Sequence, residues 1–349
     1  MGIQNTQLLM PEELNFLTGK LILMSHQAEN SEMVIVIWLM LLLSKSVEEV
    51  QSLVVFTDLS SKQQGLYIDE LGQGWWFFYV SHSAKAKLNN EGLREVKEEV
   101  FTSCPEFLQK LIVANRGAQL TGPILKEKDP KVITQSVVRK LKKLSDRHAS
   151  GRVSVRRLVN FVSYYLNSTE VIDPIFIDYS YAVHMYMTRV ARSYANVSDH
   201  FRSVQLEKLW RNVEQDIESY TGNVLPISLF ELRHFDQADS FIGSSFTPTN
   251  DAISTLINSL ARRISASMPS FQHRLIDIVD YHNAFTAYTA WMLLFGTGYR
   301  AAWNPLPTFA LFLPSLNLMG ISDKDDSDFS HSRIVAVPNV LASQLKEYK

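Results

Sequence analysis

Residues 295–307 read FGTGYRAAWNPLP and follow directly on the apolar run AFTAYTAWMLLF of residues 284–295. A strongly apolar helix that runs into Gly-Thr-Gly delivers Arg300 at the edge of a core. A cation there is costly unless an anion or a hydrogen-bond acceptor meets it. The fold and the function both turn on what meets Arg300.

The rest of the composition bounds the answer. At 349 residues, 46% apolar and 20% charged, the chain has the profile of an ordinary globular protein with room for two domains or one large one. Leucine is plentiful and glycine scarce, which favours helix. The formal net charge of -2 supplies no overall positive field, so any nucleic-acid binding must be local. Cys104 is the only cysteine, which excludes an internal disulfide and a multi-cysteine zinc site and fits a reducing cytoplasm. The opening MGIQNTQLLMPEEL lacks a basic region followed by an apolar block, so no secretory signal is expected. The longest apolar run, Val34 to Leu43, is ten residues, about half of a membrane span, and predicts a buried core helix. These features predict a soluble cytoplasmic protein with no membrane partner.

Periodicity predicts helices over 11–24, 32–44, 93–102, 105–116, 130–145, 155–166, 179–194 and 198–220. A β-hairpin is expected from Leu66–Asp69 and Trp75–Val80 around Gly72-Gln73-Gly74. Residues 221–248 break periodicity and read as a connector. Thr247-Pro248 then resembles a helix N-cap and first turn. Helices over 250–265 and 272–295 follow, and SLNLMGISDKDDSDFSHSRIVAVP predicts a second hairpin. The order of elements partly repeats, with WLMLLLSKSVEEV and WMLLFGTGYRAAW in equivalent places. The expected class is mainly α with small antiparallel β-hairpin sheets, divided into residues 1–220, the connector and residues 249–349.

In its second part the chain resembles the tyrosine recombinases, the phage-type integrases and their relatives. The resemblance rests on Thr297-Gly298-Tyr299-Arg300 after an apolar helix, on Lys324 within SDKDDSD, and on Arg333-Ile334-Val335-Ala336-Val337-Pro338, in that order. Taken singly, each piece has a plainer reading. Arg300 could cap a helix C-terminus, and Lys324 among aspartates could sit in a solvated turn. The acidic run lacks the glycine and the final glutamate of a calcium loop, and Gly296-Thr297-Gly298 lacks the Gly-Lys-Ser/Thr of a phosphate loop. The resemblance implies a tyrosine-recombinase-like catalytic fold and a chemistry without metal or cofactor. In that chemistry a tyrosine hydroxyl attacks a DNA phosphodiester, arginine forks hold the non-bridging oxygens, and lysine and histidine move protons.

The family's remaining groups are absent after Pro338 but find counterparts earlier. Ser154-x-x-Arg157 stands at a predicted helix start, and His184 precedes Tyr194 by ten residues. On that alignment residues 1–220 form a degenerate recombinase-like domain. Ser46 falls at the box arginine, Gln73 at the turn lysine and Ser154 at the first histidine. Losing these groups removes several kcal/mol of transition-state stabilisation. Residues 249–349 would be the opening half of a second copy. The resemblance thus implies a catalytic set of Arg300, Lys324, Arg157, His184 and Tyr194, composite within one chain or across a homo-oligomer or with a partner recombinase. His184, Tyr194 and Arg157 also have ordinary structural readings in a chain with thirteen tyrosines and nine histidines.

The densest nucleic-acid signal is RKLKKLSDRHASGRVSVRR. There Arg139, Lys140, Lys142, Lys143, Arg147, Arg152, Arg156 and Arg157 face a single acid, Asp146. Such density suits phosphate neutralisation and a steep loss of affinity with salt; a solvated helix face is the alternative. The run Trp75–Tyr79 offers either stacking on bases or core packing. The expected function is DNA binding in recombination or a mobile element, with impaired catalysis. A non-enzymatic helical scaffold for partner proteins is the competing reading.

Overall fold

The ten-residue apolar run is enclosed on all sides. A computed structural model describes residues 8–25, 27, 31–61, 63–80, 92–127, 129–147, 152–169, 171–183, 195–235, 240–244, 247–268, 275–299, 309–322 and 332–348. It divides into two units, Met1–Thr247 and Pro248–Lys349. In the first, α1 (Pro11–Ser25) is followed by α2 (Ser31–Leu43), in which every residue from Val34 to Leu43 is buried. A helix apolar on all faces needs neighbours on all faces. They are α1, the short α3 (Val47–Gln51), α4 (Glu106–Arg116), α5 (Pro130–Arg147), α6 (Val155–Val159) and α7 (Phe161–Thr169).

A five-stranded sheet lies beside these helices. Its strands are β1 (Val54–Phe56), β2 (Gly65–Ile68), β3 (Gly74–Tyr79), β5 (Glu99–Ser103) and β6 (Gly122–Pro123), in the order β5-β3-β2-β1-β6. The β2–β3 pair forms the expected hairpin, with Leu66 opposite Trp76 and Tyr67 opposite Trp75. The sheets are not all antiparallel hairpins, because β1 runs parallel to β2. Gly65 permits that pairing, since a Cβ there would stand 2.1 Å from the carbonyl oxygen of Val54. Alternation sends Leu66, Trp76, Phe78 and Val100 into the main core. Phe56, Tyr67, Trp75 and Phe77 form a second cluster, against which Phe101 and Phe235 pack. The aromatic run is therefore packing on both faces of a sheet.

The segment expected to be a connector belongs to the first unit. Leu229 and Phe230 are buried, and Phe235 stacks on Phe101 with ring centres 3.6 Å apart and planes 4° apart. β8 (Phe241–Gly243) is the middle strand between β4 (Val96–Lys97), which it meets in parallel, and β7 (Asn196–Ser198). Apolar side chains without a helical period needed a sheet face to cover, and they found one. The helix expected over 93–102 is β4 and β5 for the related reason that Val100 and Thr102 alternate inward. The helix expected over 155–166 divides into α6 and α7 at Asn160. Of the helix expected over 179–194, the described part is α8 (Ile175–Tyr181), which begins earlier and is C-capped by Ala182, φ 48°; residues 184–194 lie outside the described residues.

The last helix of this unit, α9 (Asp199–Thr221), packs against α1 and α8. Its Arg202 is fully buried, and its guanidinium donates to Asp199, Thr102 Oγ1, Ser180 Oγ and the Phe101 carbonyl. The whole donor fork is thereby matched, which a buried guanidinium requires.

The second unit is a smaller α/β assembly. α10 (Asn250–Ala266) is capped by Thr249, whose Oγ1 accepts from Ala252 N at 3.1 Å. The helix starts at Asn250 as expected, but its N-cap is Thr249 and not Thr247, whose carbonyl is held by Arg94 N at 2.8 Å. α11 (Leu275–Thr297) follows, then β9 (Phe312–Leu313), β10 (Leu318–Ser322), β11 (Ser332–Ala336) and α12 (Asn339–Tyr348). The three strands form an antiparallel sheet in the order β11-β10-β9. Leu293, Tyr299, Phe312, Met319, Ile321, Val337, Leu341 and Leu345 make its core. Among the described residues of both units, no helix is long and apolar enough to cross a membrane.

Candidate functional site

The second unit builds a tight corner where α11 meets its sheet. Thr297 Oγ1 donates to the Leu293 carbonyl at 2.7 Å and accepts from Tyr299 N at 3.2 Å, so one hydroxyl closes the helix and starts the turn. Gly298 takes the left-handed conformation, φ 63°, and its N–H bonds the Leu294 carbonyl at 3.1 Å. Tyr299 turns into the core. The Arg333 guanidinium, at the start of the Arg-Ile-Val strand, donates to the Gly298 carbonyl at 3.1 Å. Backbone of the Thr-Gly box and side chain of β11 are thus joined. β10 and β11 pair over Leu318–Ser322 and Ser332–Ala336, and the chain between them carries Lys324. Arg300 and Lys324 themselves lie outside the described residues, as do His184 and Tyr194.

The first unit builds a comparable corner with other chemistry. α2 stops at Leu43, and Ser44 takes the left-handed conformation, φ 54°. Ser44 Oγ is buried without a hydrogen-bond partner among the described residues. Lys45 is buried, with Nζ 4.9 Å from the Phe78 ring centre and 3.8 Å from Glu49 Oε1. Burial holds its pKa below the ordinary lysine value, and the Glu49 carboxylate offsets part of that shift. Ser46, at the position aligned with Arg300, is the N-cap of α3. Its Oγ accepts from Glu49 N at 3.3 Å while its N–H donates to Glu49 Oε2 at 2.7 Å. Gln73, aligned with the turn lysine, sits in the β2–β3 turn organised by Asp69, which accepts from Gln73 N at 2.8 Å and from Trp75 Nε1 at 2.9 Å. Ser46 is thus engaged through its side chain and backbone, and Gln73 through its backbone.

Arg157 is half-buried on α6, which packs against α2 and α5. The basic stretch separates into three groups. On α5 the buried stripe is Ile133, Val137, Leu141 and Leu144. Arg139, Lys142 and Lys143 lie exposed on the opposite side together with Lys131, while Lys140 is half-buried at the boundary. No ion pair among the described residues involves Lys131, Arg139, Lys142 or Lys143. Lys131 was missed in the sequence, although Lys131, Arg139 and Lys143 fall at multiples of four residues and so on one helix face. Arg147 is the last residue of α5, and Arg156 is exposed on α6.

Arg152 has another task. Its Nε lies 3.5 Å from the buried Glu13 Oε1, and its guanidinium donates to the Leu8 carbonyl at 2.7 Å. It secures the start of α1 and does not join the cationic face. Comparisons with protein-family models, with curated proteins and with solved structures find no match.

Proposed function

We propose that the chain is a DNA-binding protein related to the tyrosine recombinases, acting in recombination or in a mobile element with impaired catalysis of its own. The observation that carries the DNA-binding reading is the solvent face of α5, where Lys131, Arg139, Lys142 and Lys143 stand exposed over thirteen residues. That length of helix spans about 18 Å, enough to meet several phosphates of a duplex. The recombinase reading draws support from the second unit. There an apolar helix, a Thr-Gly box, an antiparallel hairpin whose connection carries Lys324, and the Arg-Ile-Val strand follow one another in the order that family uses. Impairment draws support from the capping work of Ser46 and the turn role of Gln73 in the first unit.

Duplex binding measured against salt tests the first part. Four phosphate contacts predict a slope of roughly -3.6 in log K against log salt. Reversing Arg139, Lys142 and Lys143 together to glutamate should flatten the slope to about -1 and weaken binding at least tenfold at low salt. A protein that binds no duplex at low salt, or a triple variant that binds unchanged, sinks the reading and favours a protein-binding scaffold. On a nicked duplex the unmodified chain is expected to form no covalent adduct. An adduct abolished by Tyr194→Phe would show an active enzyme instead.

A further inference from the structure

The imidazoles of His200 and His234 lie against each other on the surface of the first unit, with ring centres 4.7 Å apart and planes inclined at 34°. They come from elements thirty-four residues apart in sequence, and both are exposed. Neither position is loose. His200 is the second residue of α9, whose first turn is fixed by Ser198 accepting from Phe201 N and by Arg202 donating to Asp199. His234 is held from both sides. Arg233 donates to the Cys104 and Gly74 carbonyls, and Phe235 stacks on Phe101. Each imidazole therefore stands between anchors that keep the pair together.

We infer that His200 and His234 form a two-ligand site for a borderline first-row divalent ion, zinc, copper or nickel, completed by water. Imidazole nitrogen selects such ions over magnesium and calcium, which prefer oxygen ligands. The spacing suits the chemistry. With metal–nitrogen bonds of about 2.1 Å, each ring centre stands roughly 3.2 Å from the ion. Centres 4.7 Å apart lie within the reach of one ion at that distance. The flanking charges cancel in pairs, Asp199 with Arg202 at 2.6 Å and Glu231 with Arg233 at 3.7 Å, so no net positive field repels a cation. No group of three or more His, Cys, Asp or Glu among the described residues is arranged to hold a metal, so this is an open, exchangeable site and not a closed structural one. Its effect would be to clasp the 225–235 segment to the start of α9.

The full chain, stripped with chelator and dialysed, should be titrated with zinc ion by calorimetry and followed by amide exchange. Zinc is expected to slow exchange at residues 199–202 and 231–235 together. His200→Gln and His234→Gln should each weaken the tightest zinc site at least tenfold and abolish that protection. Unchanged affinity in both variants overturns the site. So does equal protection by magnesium, or unaltered exchange at either segment in the unmodified chain, an outcome that needs no variant to fold.

Discussion

The two units each bring an apolar helix to the edge of a sheet, and they turn the same corner by different means. In the second unit the left-handed residue is Gly298, the next residue, Tyr299, packs in the core, and the first strand, β9, meets β10 antiparallel. In the first unit the left-handed residue is Ser44, the next residue is the buried Lys45, and β1 runs parallel to β2. The second sheet buries Phe312, Met319 and Ile321 on one side. On the other it leaves Leu313 and Ile334 at 52% and 73% exposed. The first sheet is packed on both sides, with Phe235 set against its aromatic side. The comparison teaches that a shared outline of helix, break and hairpin does not fix the chemistry at the break. In the first unit, Ser46 closes a capping box after the break, and Asp69 organises the turn that holds Gln73.

The parallel β1–β2 pair is what most separates the units, and it depends on Gly65. Its φ is 140°, and an added Cβ meets backbone atoms of Val54 at 2.1 and 2.6 Å, which cannot give way as a side chain would. Gly65→Ala should therefore cost about 3 kcal/mol or more. Amide exchange should accelerate across the first unit and stay unchanged in α10–α12. A variant with wild-type exchange in β1 and β2 would mean that the pairing does not need the glycine.

A reciprocal exchange at the two left-handed positions sharpens the comparison at smaller cost. Gly298 has open space where a Cβ would go, so Gly298→Ser carries only the conformational penalty, about 1 kcal/mol. Ser44→Gly should gain about the same amount, since it relieves that penalty and removes a buried hydroxyl without a partner among the described residues. Opposite signs in a thermal or denaturant melt support the equivalence of the corners. Equal signs break it.

Much of this outline was legible because long apolar helices and glycine-turn hairpins write strong periods. α1, α2, α4, α5, α9, α10 and the β2–β3 and β10–β11 hairpins fall within a few residues of their expected places. What failed was short and non-local. β1, β4 and β8 pair with strands whose partners no local period announces, and 93–102 alternates too briefly to outvote a helical reading. At the candidate site, the clustering of positive charge was legible but its division was not. Arg152 and the α5 lysines look alike in sequence, and only the buried Glu13 separates them. The His200–His234 pair was invisible for the same reason, since the fold alone brings the two together.

Lys45 offers the finest test, because its counterpart Tyr299 is a core residue. At 6% exposure its ammonium has lost most of its water and gains back the Phe78 ring and a half-exposed Glu49. Desolvation outweighs these partners, so the folded-state pKa lies below the ordinary lysine value. The sign follows from linkage. Below the folded pKa the lysine is charged in both states, and the native state bears the full desolvation cost. As pH rises from there toward the unfolded value, the unfolded chain binds more protons than the native one, and stability climbs. Above the unfolded value the contribution is constant. Methionine has similar reach and packs well on an aromatic ring, so Lys45→Met should be more stable at neutral pH by about 1 kcal/mol. That advantage should shrink as pH approaches the lysine range, in denaturant melts of the two proteins compared at pH 7 and pH 10. A variant less stable at pH 7 would show that Glu49 and the Phe78 ring outweigh desolvation, and that the first corner is built around a charge.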